Sequence, residues 1–133
     1  MIDTKPLPPG QQARGDFPRF GLTPYAYRFP KVIDEIRIVL AGDAIDGALL
    51  DAPFDGLARR EQTCDFHCVT TWSREHLHWS GFRFRDFYNS QIAPRLKSGC
   101  EVRTVLLRGQ DGYRSTLPLS DLLADDVLFA DTL

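Results

Sequence analysis

The residues best suited to chemistry are concentrated in one short stretch of the sequence, residues 64–78. It holds two of the three cysteines, Cys64 and Cys68, together with all three histidines. Thiolate and imidazole are the usual protein ligands of zinc, and a thiolate beside an imidazole base is also the pattern of a cysteine nucleophile. The residue types alone therefore allow a metal site, a covalent catalyst, or two small buried cysteines with no chemical role.

The spacing argues against zinc and against a nucleophile. Alternating polar and apolar residues predict a strand over residues 61–71, with Cys64 and Cys68 on the same face. At about 3.3 Å per residue, the two cysteines lie about 13 Å apart on such a strand, too far to share one metal or one disulfide. His67 points to the opposite face from Cys68, and no protease-like sequence surrounds the pair. Buried structural cysteines remain an open alternative.

The residues around Cys68 also match a known pattern. The segment DFHCVTTWSREHLHWSGFRFRDFY, residues 65–88, resembles the signature of the sulfite oxidase-type family of molybdenum cofactor-binding oxidoreductases, particularly its small bacterial members. FPRFG at 17–21 resembles the family's aromatic and basic arm, and DGYRSTLPL at 111–119 resembles the strand whose tyrosine faces the metal. The matching residues of the signature are His67, Cys68, Val69, Thr70, Trp72, Ser73, Trp79, Gly81, Phe84 and Asp86.

The resemblance implies an enzyme, a molybdopterin-dependent oxidoreductase that acts on a small oxyanion or sulfoxide-type substrate and uses an unknown electron partner. The Cys68 thiolate would ligate the metal of a molybdenum-molybdopterin cofactor, in keeping with the affinity of soft thiolates for transition metals. Tyr113 would stand beside the metal and share the catalytic role with Cys68. The residues that would hold the cofactor are Arg19, His67, Cys68, Thr70, Trp72, Ser73 and Arg114.

The first 30 residues predict an extended arm. They contain six of the nine prolines, which disfavour helices and central strands. They also contain five aromatic residues, more than a solvated linker carries. We therefore expect the arm, residues 1–30, to pack against a body formed by residues 31–133, which the resemblance makes a molybdopterin-binding oxidoreductase domain.

Strand and helix patterns are interleaved along the body. Strands are predicted over residues 32–40, 61–71, 100–107 and 113–117. An extended piece from His76 is predicted to turn at Ser80 and Gly81. Helices are predicted over residues 51–60 and 82–93, the second ended by Pro94, with a final helical turn capped by Ser120. This mixture predicts an α+β fold with a mixed sheet and short helices, which the resemblance makes the sulfite oxidase molybdopterin-binding fold.

Charge and composition exclude several classes of protein. Sixteen Lys plus Arg against eighteen Asp plus Glu give a net charge of −2, so no basic field would attract nucleic acid. No stretch approaches the roughly 18 apolar residues of a membrane helix, and the N-terminal residues lack the pattern of a secretory signal. An odd, small number of cysteines argues against a disulfide-framed secreted protein. We therefore expect a cytoplasmic protein.

The family pattern continues beyond the motifs found here. Its members carry a His-Gly-x-Pro-x-Arg type run and a Tyr-Gly-x-Lys type run that help to bind the pterin phosphate, and this sequence has neither. The resemblance therefore predicts a fold that is incomplete at the C-terminus. The alternative function is a non-catalytic or truncated domain that acts as a binding or oligomerising module. A second copy would then pair along an exposed apolar edge formed by Val127, Leu128, Phe129 and Leu133.

Overall fold

A computed structural model describes residues 5–18 and 34–133. Sheets and short helices occur together, which confirms the predicted α+β class. The helices are α1 (Phe84–Phe87), which continues as a π turn at Tyr88–Ile92 and a 3₁₀ turn at Ala93–Arg95, and α2 (Leu119–Leu122). The strands are β1 (Gln12–Ala13), β2 (Ile38–Leu40), β3 (Ala48–Leu50), β4 (Arg59–His67), β5 (Trp72–Arg83), β6 (Thr104–Arg108), β7 (Arg114–Pro118) and β8 (Leu128–Thr132).

Three of the predictions concern residues that lie, wholly or in part, outside these described ranges. Arg19, predicted to bind the cofactor, lies outside the described residues, as does the start of the strand predicted over 32–40. The predicted boundary between arm and body at residue 30 also falls there and stays a prediction.

The largest sheet is built on β5. One edge of β5 pairs antiparallel with β4, which places His67 opposite Ser73. On the other edge, the beginning of β5 pairs in parallel with β1, so Ala13 also lies opposite Ser73. The end of β5 pairs antiparallel with β8, where Phe82 faces Phe129. The sheet is therefore mixed, with β1 and β8 on the same edge at opposite ends of β5.

Two antiparallel hairpins supply the other sheets and part of the core. β2 pairs with β3, and β6 pairs with β7. In β6, Val105 and Leu107 are half-buried while the residues between and beside them are exposed, as the two-residue period of a strand requires. The buried core residues come from the β2–β3 hairpin, both helices and the segments beside them: Leu40, Ile45, Leu50, Phe84, Phe87, Ile92, Leu119 and Leu122.

The turn predicted at Ser80 and Gly81 is wrong, because both residues lie inside β5. Gly81 is instead a point of close backbone approach. A Cβ atom placed there would lie 1.9 Å from the carbonyl oxygen of Phe129 in β8. The glycine therefore leaves the space that β8 needs in order to pair with β5.

The helix predicted over residues 51–60 is also wrong. The chain makes turns there, in which the N–H of Leu57 donates to the carbonyl of Phe54 at 3.1 Å, and then enters β4. Phe54 stacks on Phe82 of β5 with ring centroids 4.7 Å apart. Phe54 and Leu57, the apolar residues three positions apart, therefore belong to a turn in which both side chains pack against the core.

The remaining helices differ from prediction at their ends. The helix predicted over 82–93 begins at Phe84, because residues 82–83 belong to β5, and it passes through Pro94 as a 3₁₀ turn. Proline is tolerated there because the first N–H groups of a helical turn have no partner to lose. Pro118 precedes α2 and no side chain caps it, so the predicted capping role of Ser120 is wrong. Over the described ranges, no helix is long and apolar enough to span a membrane.

The apolar segment at residues 127–130 is paired within the chain. Phe129 packs against Phe84 and Phe87, with ring centroids 5.4 and 5.1 Å away. Leu133, beyond the end of β8, is exposed. Phe129 thus contributes to the chain's own core.

Replacing Gly81 by alanine is expected to destabilise the sheet. The added methyl group would overlap the Phe129 carbonyl, and overpacking of this kind costs roughly 1–3 kcal/mol or more. Urea denaturation should show this loss in the free energy of unfolding. Gly15→Ala is the matched control, since a Cβ atom there meets none of the described residues within 4 Å. Equal stability of the two variants would contradict the close approach.

Arg59 of β4 forms an ion pair with Asp131 of β8, which connects the two strands that flank the end of β5. Its guanidinium donates two hydrogen bonds to the Asp131 carboxylate, at 2.7 and 2.9 Å, and one to Ser80 Oγ at 3.1 Å. The hydrogen bonds from Arg59, and a further one from the Thr132 hydroxyl, lower the pKa of Asp131 from 3.8 to about 2.

The stability of the fold should depend on the ionised state of Asp131. Because its folded-state pKa lies below the ordinary value, the contribution is complete above pH about 4 and is lost as the pH falls through about 2. Asp131→Asn should lower the free energy of unfolding near neutral pH by up to about 1 kcal/mol, since the pair is partly exposed. Urea titrations at several pH values, with exposed Asp126→Asn as control, measure this. A difference between Asp131→Asn and wild type that is as large at pH 2 as at neutral pH would refute it.

Candidate functional site

The predicted metal ligand Cys68 lies in a tight turn between β4 and β5. The prediction of a strand through residue 71 is wrong, because β4 ends at His67 and the chain reverses over residues 68–71. The Cys68 N–H donates to the Trp72 carbonyl at 2.9 Å, and the Thr71 N–H donates to the Cys68 carbonyl at 3.1 Å. Cys64 and Cys68 are therefore not alternate residues of one strand face. Cys68 is at a hairpin end, where a ligand can approach it.

The turn surrounds the Cys68 sulfur with hydrogen-bond donors. The Thr70 hydroxyl donates to Sγ at 3.1 Å and is the main cause that lowers the pKa of the Cys68 thiol. The backbone N–H of Thr70, and less strongly that of Val69, lower that pKa further, while burial of the thiol opposes them. Donors that stabilise the charged form shift the equilibrium towards thiolate, the form that binds metals and reacts as a nucleophile.

Trp72 forms a buried wall beside this thiol. Its side chain is only 6% exposed and packs against the rings of Phe17 and Phe66, with centroids 5.9 and 5.4 Å away. The indole N–H contributes to the lowered pKa of Cys68, but its buried nitrogen makes no hydrogen bond of ordinary geometry within the described part of the chain. Val69, the residue after Cys68, is 95% exposed. The thiol thus lies between a buried donor and open solvent.

A hydrogen-bonded chain of three side chains lies behind the turn. The Gln11 carboxamide donates through Nε2 to the Cys68 carbonyl at 3.1 Å and accepts through Oε1 from Ser73 Oγ at 2.9 Å. His67 Nδ1 lies 2.7 Å from the same Ser73 oxygen. Ser73 is fully buried. The network therefore links β1, β4 and β5 at the base of the Cys68 turn.

The partners in this network determine each donor and acceptor. The Cys68 carbonyl can only accept, so the amide nitrogen of Gln11 faces it and the amide oxygen faces Ser73. The hydroxyl of Ser73 gives its one proton to Gln11 and must receive one from His67. His67 therefore carries its proton on Nδ1, and Nε2 is the ring atom left to meet another group.

The segment around β1 makes three hydrogen bonds to carbonyl groups of the turn and of β5. Besides the Gln11 contact, the N–H of Gln12 donates to the Thr71 carbonyl at 2.9 Å and that of Arg14 donates to Ser73 at 2.7 Å. Gln11 is not among the residues that the sequence pattern predicts, because it is 57 positions from Cys68 and no local motif marks it. Only the pairing of β1 with β5 brings it to the turn.

Five of the predicted site residues lie together in the structure, two lie in another hairpin, and one lies outside the described residues. His67, Cys68, Thr70, Trp72 and Ser73 lie together at the junction of β4 and β5.

The predicted catalytic Tyr113 and the predicted cofactor ligand Arg114 belong instead to the β6–β7 hairpin. Tyr113 is 56% exposed, and its N–H donates to Asp111 Oδ1 at 2.9 Å in the hairpin turn. Arg19 lies outside the described residues. That all eight predicted residues form one site stays a prediction.

The remaining cysteine and histidine residues of the segment are spread along the two strands. The three cysteines are free thiols. His76 sits at an irregularity of β5 with a φ of 56°, where its N–H donates to Asp65 Oδ1 at 2.9 Å. His78 lies further along β5, 3.2 Å from the Thr63 hydroxyl. Residues 5–18 and 34–133 contain no group of three or more Cys, His, Asp or Glu residues that could hold a metal ion.

Part of this chain is similar to a known bacterial protein. The chain is 39% identical over 72 residues to a protein of Bacillus subtilis (strain 168) described as the uncharacterized oxidoreductase YuiH. The aligned region is 54% of this chain and 34% of the relative, so the chain spans about a third of the length of the curated relative it matches. No protein-family model matches the chain, and no solved structure matches it.

The Thr70 hydroxyl is expected to control the reactivity of Cys68. In a background with Cys64→Ser and Cys100→Ser, Thr70→Val should raise the pKa of Cys68 and slow its alkylation by iodoacetamide at pH 7 about threefold. The effect should disappear at pH 10 and above, where the thiol is ionised in both variants. Thr70→Ser, which keeps the hydroxyl, is the matched control. Equal rates for Thr70→Val and Thr70→Ser at pH 7 would show that the hydroxyl has no such effect.

Proposed function

We propose that this chain is a molybdopterin-dependent oxidoreductase domain in which the Cys68 thiolate ligates molybdenum. The observation that carries the proposal is the setting of Cys68: a half-buried thiol at a hairpin end, hydrogen-bonded by Thr70 and flanked by the buried indole N–H of Trp72. The similarity to a relative named as an oxidoreductase supports the general class. The residue pattern around Cys68 supports the particular cofactor.

The chemistry of the donor set fits such a cofactor. A thiolate is a soft ligand suited to transition metals, and its lowered pKa reduces the free energy needed to deprotonate it on binding. Among the described residues, no two Cys, His, Asp or Glu side chains lie close enough to Cys68 to complete a metal site made of protein ligands. This suits a metal whose other ligands belong to the cofactor itself. The indole nitrogen of Trp72, which has no hydrogen-bond partner among residues 5–18 and 34–133, offers a donor to the bound group.

The residues of the turn would act on the ligating sulfur and on the space around it. When bound, the cofactor would supply the two-electron redox chemistry. The hydroxyl of Thr70 would remain directed at the sulfur, and hydrogen bonds to a ligating thiolate tune the electron density it gives to a metal. Trp72, with Phe17 and Phe66 behind it, would exclude water from one side of the sulfur.

The other predicted site residues would recognise the organic part of the cofactor and the substrate. His67, fixed by Ser73 through Nδ1, would present Nε2 to the bound group. Arg19 and Arg114 would provide positive charge for the phosphate, where guanidinium groups form two parallel hydrogen bonds. Tyr113 would place a phenol, which can donate or accept a proton, beside a small oxyanion or sulfoxide-type substrate. An electron partner would complete the reaction.

The metal content of the purified protein tests the proposal. Produced in a host that makes the molybdenum cofactor, the wild-type chain should contain about one molybdenum per chain by elemental analysis, as expected for one ligating thiolate. Cys68→Ser should lose it, because a hydroxyl is a hard and weakly acidic ligand. Cys64→Ser and Cys100→Ser are the matched controls and should retain the metal. If wild-type protein produced in a competent host contains no molybdenum, the proposal is refuted.

A further inference from the structure

Close to the Cys68 turn, β5 contains one residue more than the stretch of β4 that it pairs with. Cys64 lies opposite Leu77, whereas Phe66 lies opposite Arg74. Two steps along β4 thus correspond to three steps along β5, which places a β-bulge in β5. The two strands therefore pair in one register beside Leu77 and in another, shifted by one residue, beside Arg74.

The extra residue lets Leu77 and Trp72 face the same side of the sheet. Strand side chains alternate, so two residues five positions apart lie on opposite faces of a regular strand. Leu77 pairs with Cys64. Trp72 packs on the ring of Phe66, which lies on the same face of β4 as Cys64. Both β5 side chains are buried, and Ser73 is thereby turned to the opposite face.

The bulge contains one strained residue, and a side chain of β4 binds it. His76 has a φ of 56°, in the left-handed region that residues other than glycine seldom adopt. The Asp65 carboxylate accepts the N–H of His76 at 2.9 Å. Because a bulge interrupts the ladder of backbone hydrogen bonds, this carboxylate takes the place of a backbone acceptor. Asp65 thus stabilises the residue that forms the bulge.

Without the bulge, a single register would continue to the end of the hairpin. Cys68 would then lie opposite Ser73, as a residue of the strand pair. In the structure Cys68 instead donates its N–H to the Trp72 carbonyl and lies at the hairpin end. The Ser73 carbonyl, which accepts the Arg14 N–H at 2.7 Å, would turn towards β4. The shift would therefore take Cys68 out of the turn and remove a hydrogen bond that holds the segment around β1.

We propose that Asp65 is a positioning residue for the Cys68 site: its carboxylate holds the bulge in β5, and the bulge sets the register that keeps Cys68 at the hairpin end. The part that concerns the cofactor rests on the proposed function. The register does not, and it can be measured in the cofactor-free chain.

Nuclear Overhauser effects between β4 and β5 report the register of the wild-type chain. Cross-strand effects are expected between Cys64 and Leu77 and between Phe66 and Arg74. Effects from Phe66 to Glu75 in place of Arg74 would show a single unbroken register and would overturn the inference.

Four variants test the role of the carboxylate. Asp65→Ala removes the acceptor for the His76 N–H, and Asp65→Asn keeps an oxygen in its place. Asp65→Ala combined with His76→Gly removes the acceptor together with the strain, because glycine adopts positive φ readily. Thr63→Val is the matched control. Thr63 lies on the same strand and face as Asp65, and the substitution removes a hydroxyl that lies 3.2 Å from His78, outside the bulge.

The readout is the hydrogen exchange of two amides, those of Cys68 and Arg14, whose acceptors the shift of register would take away. Asp65→Ala should speed their exchange about fivefold, the factor expected from the loss of one exposed hydrogen bond. The amide of Leu119, which is hydrogen-bonded in another part of the fold, should keep its rate. The other three variants should exchange at the wild-type rates at all three amides.

Each other result overturns the inference. Wild-type rates in Asp65→Ala would show that the carboxylate is not needed, and faster exchange at Leu119 as well would show general destabilisation. Faster exchange in Asp65→Asn or Thr63→Val would assign the effect to any change on this face of β4. Faster exchange in the double variant would show that the carboxylate does not act through the bulge. If Asp65→Ala does not fold, the double variant decides, and its failure to fold also overturns the inference.

Molybdenum content separates this inference from the proposed function. In protein from a competent host, Asp65→Ala should contain less metal than Asp65→Asn and Thr63→Val. Wild-type protein without molybdenum would overturn the proposed function and leave the exchange rates to decide the role of Asp65.

Discussion

The double-sided pairing of Ser73 is the constraint on which the site depends. Its backbone pairs with His67 of β4 on one edge and with Ala13 of β1 on the other, and its side chain is fully buried between them. Because β4 and β5 are antiparallel neighbours, the chain must reverse within residues 68–71. Cys68 is thereby forced out of the sheet and into a turn whose position is set on both sides.

A turn of this kind supplies what a sulfur anion needs. N–H groups inside a strand pair are consumed by the neighbouring strand, whereas a tight turn leaves some of them directed inwards without a main-chain partner. At this turn the N–H groups of Val69 and Thr70 lower the pKa of the Cys68 thiol, and the Thr70 hydroxyl donates to its sulfur at 3.1 Å. The left-handed conformation of Thr71 costs free energy, which the bonds from the segment around β1 help to offset. The lowered pKa of Cys68 thus comes from hydrogen bonds within the turn, above all the one from the Thr70 hydroxyl, and not from nearby charge.

Local sequence pattern predicts part of this arrangement and fails where distant segments decide the outcome. The α+β class and much of β4, β6 and β7 follow from alternation and turn residues. Gly81 shows why the rest does not: a Ser-Gly pair is typical of a turn, but here the glycine makes room for a strand from a distant part of the chain. Residues 51–60 carry helix-like spacing that the packing of Phe54 on β5 overrides. Cys68 is recognisable by its motif, whereas Gln11 becomes visible only through the register of β1 on β5.

In the proposed function, one thiolate is the protein's ligand to the metal, and this determines where the binding affinity for the cofactor must come from. Metal sites built from protein alone draw their affinity from several ligands, and the described residues offer no group of three around Cys68. In the proposal, affinity must therefore come mainly from contacts to the organic part of the cofactor, which the resemblance assigns to Arg19 and Arg114. Arg19 follows Gln11 closely in sequence. The same N-terminal segment would then hold the Cys68 turn through Gln11 and contribute to affinity through Arg19, so that a change in the pairing of β1 with β5 would affect both the turn and the binding of the cofactor.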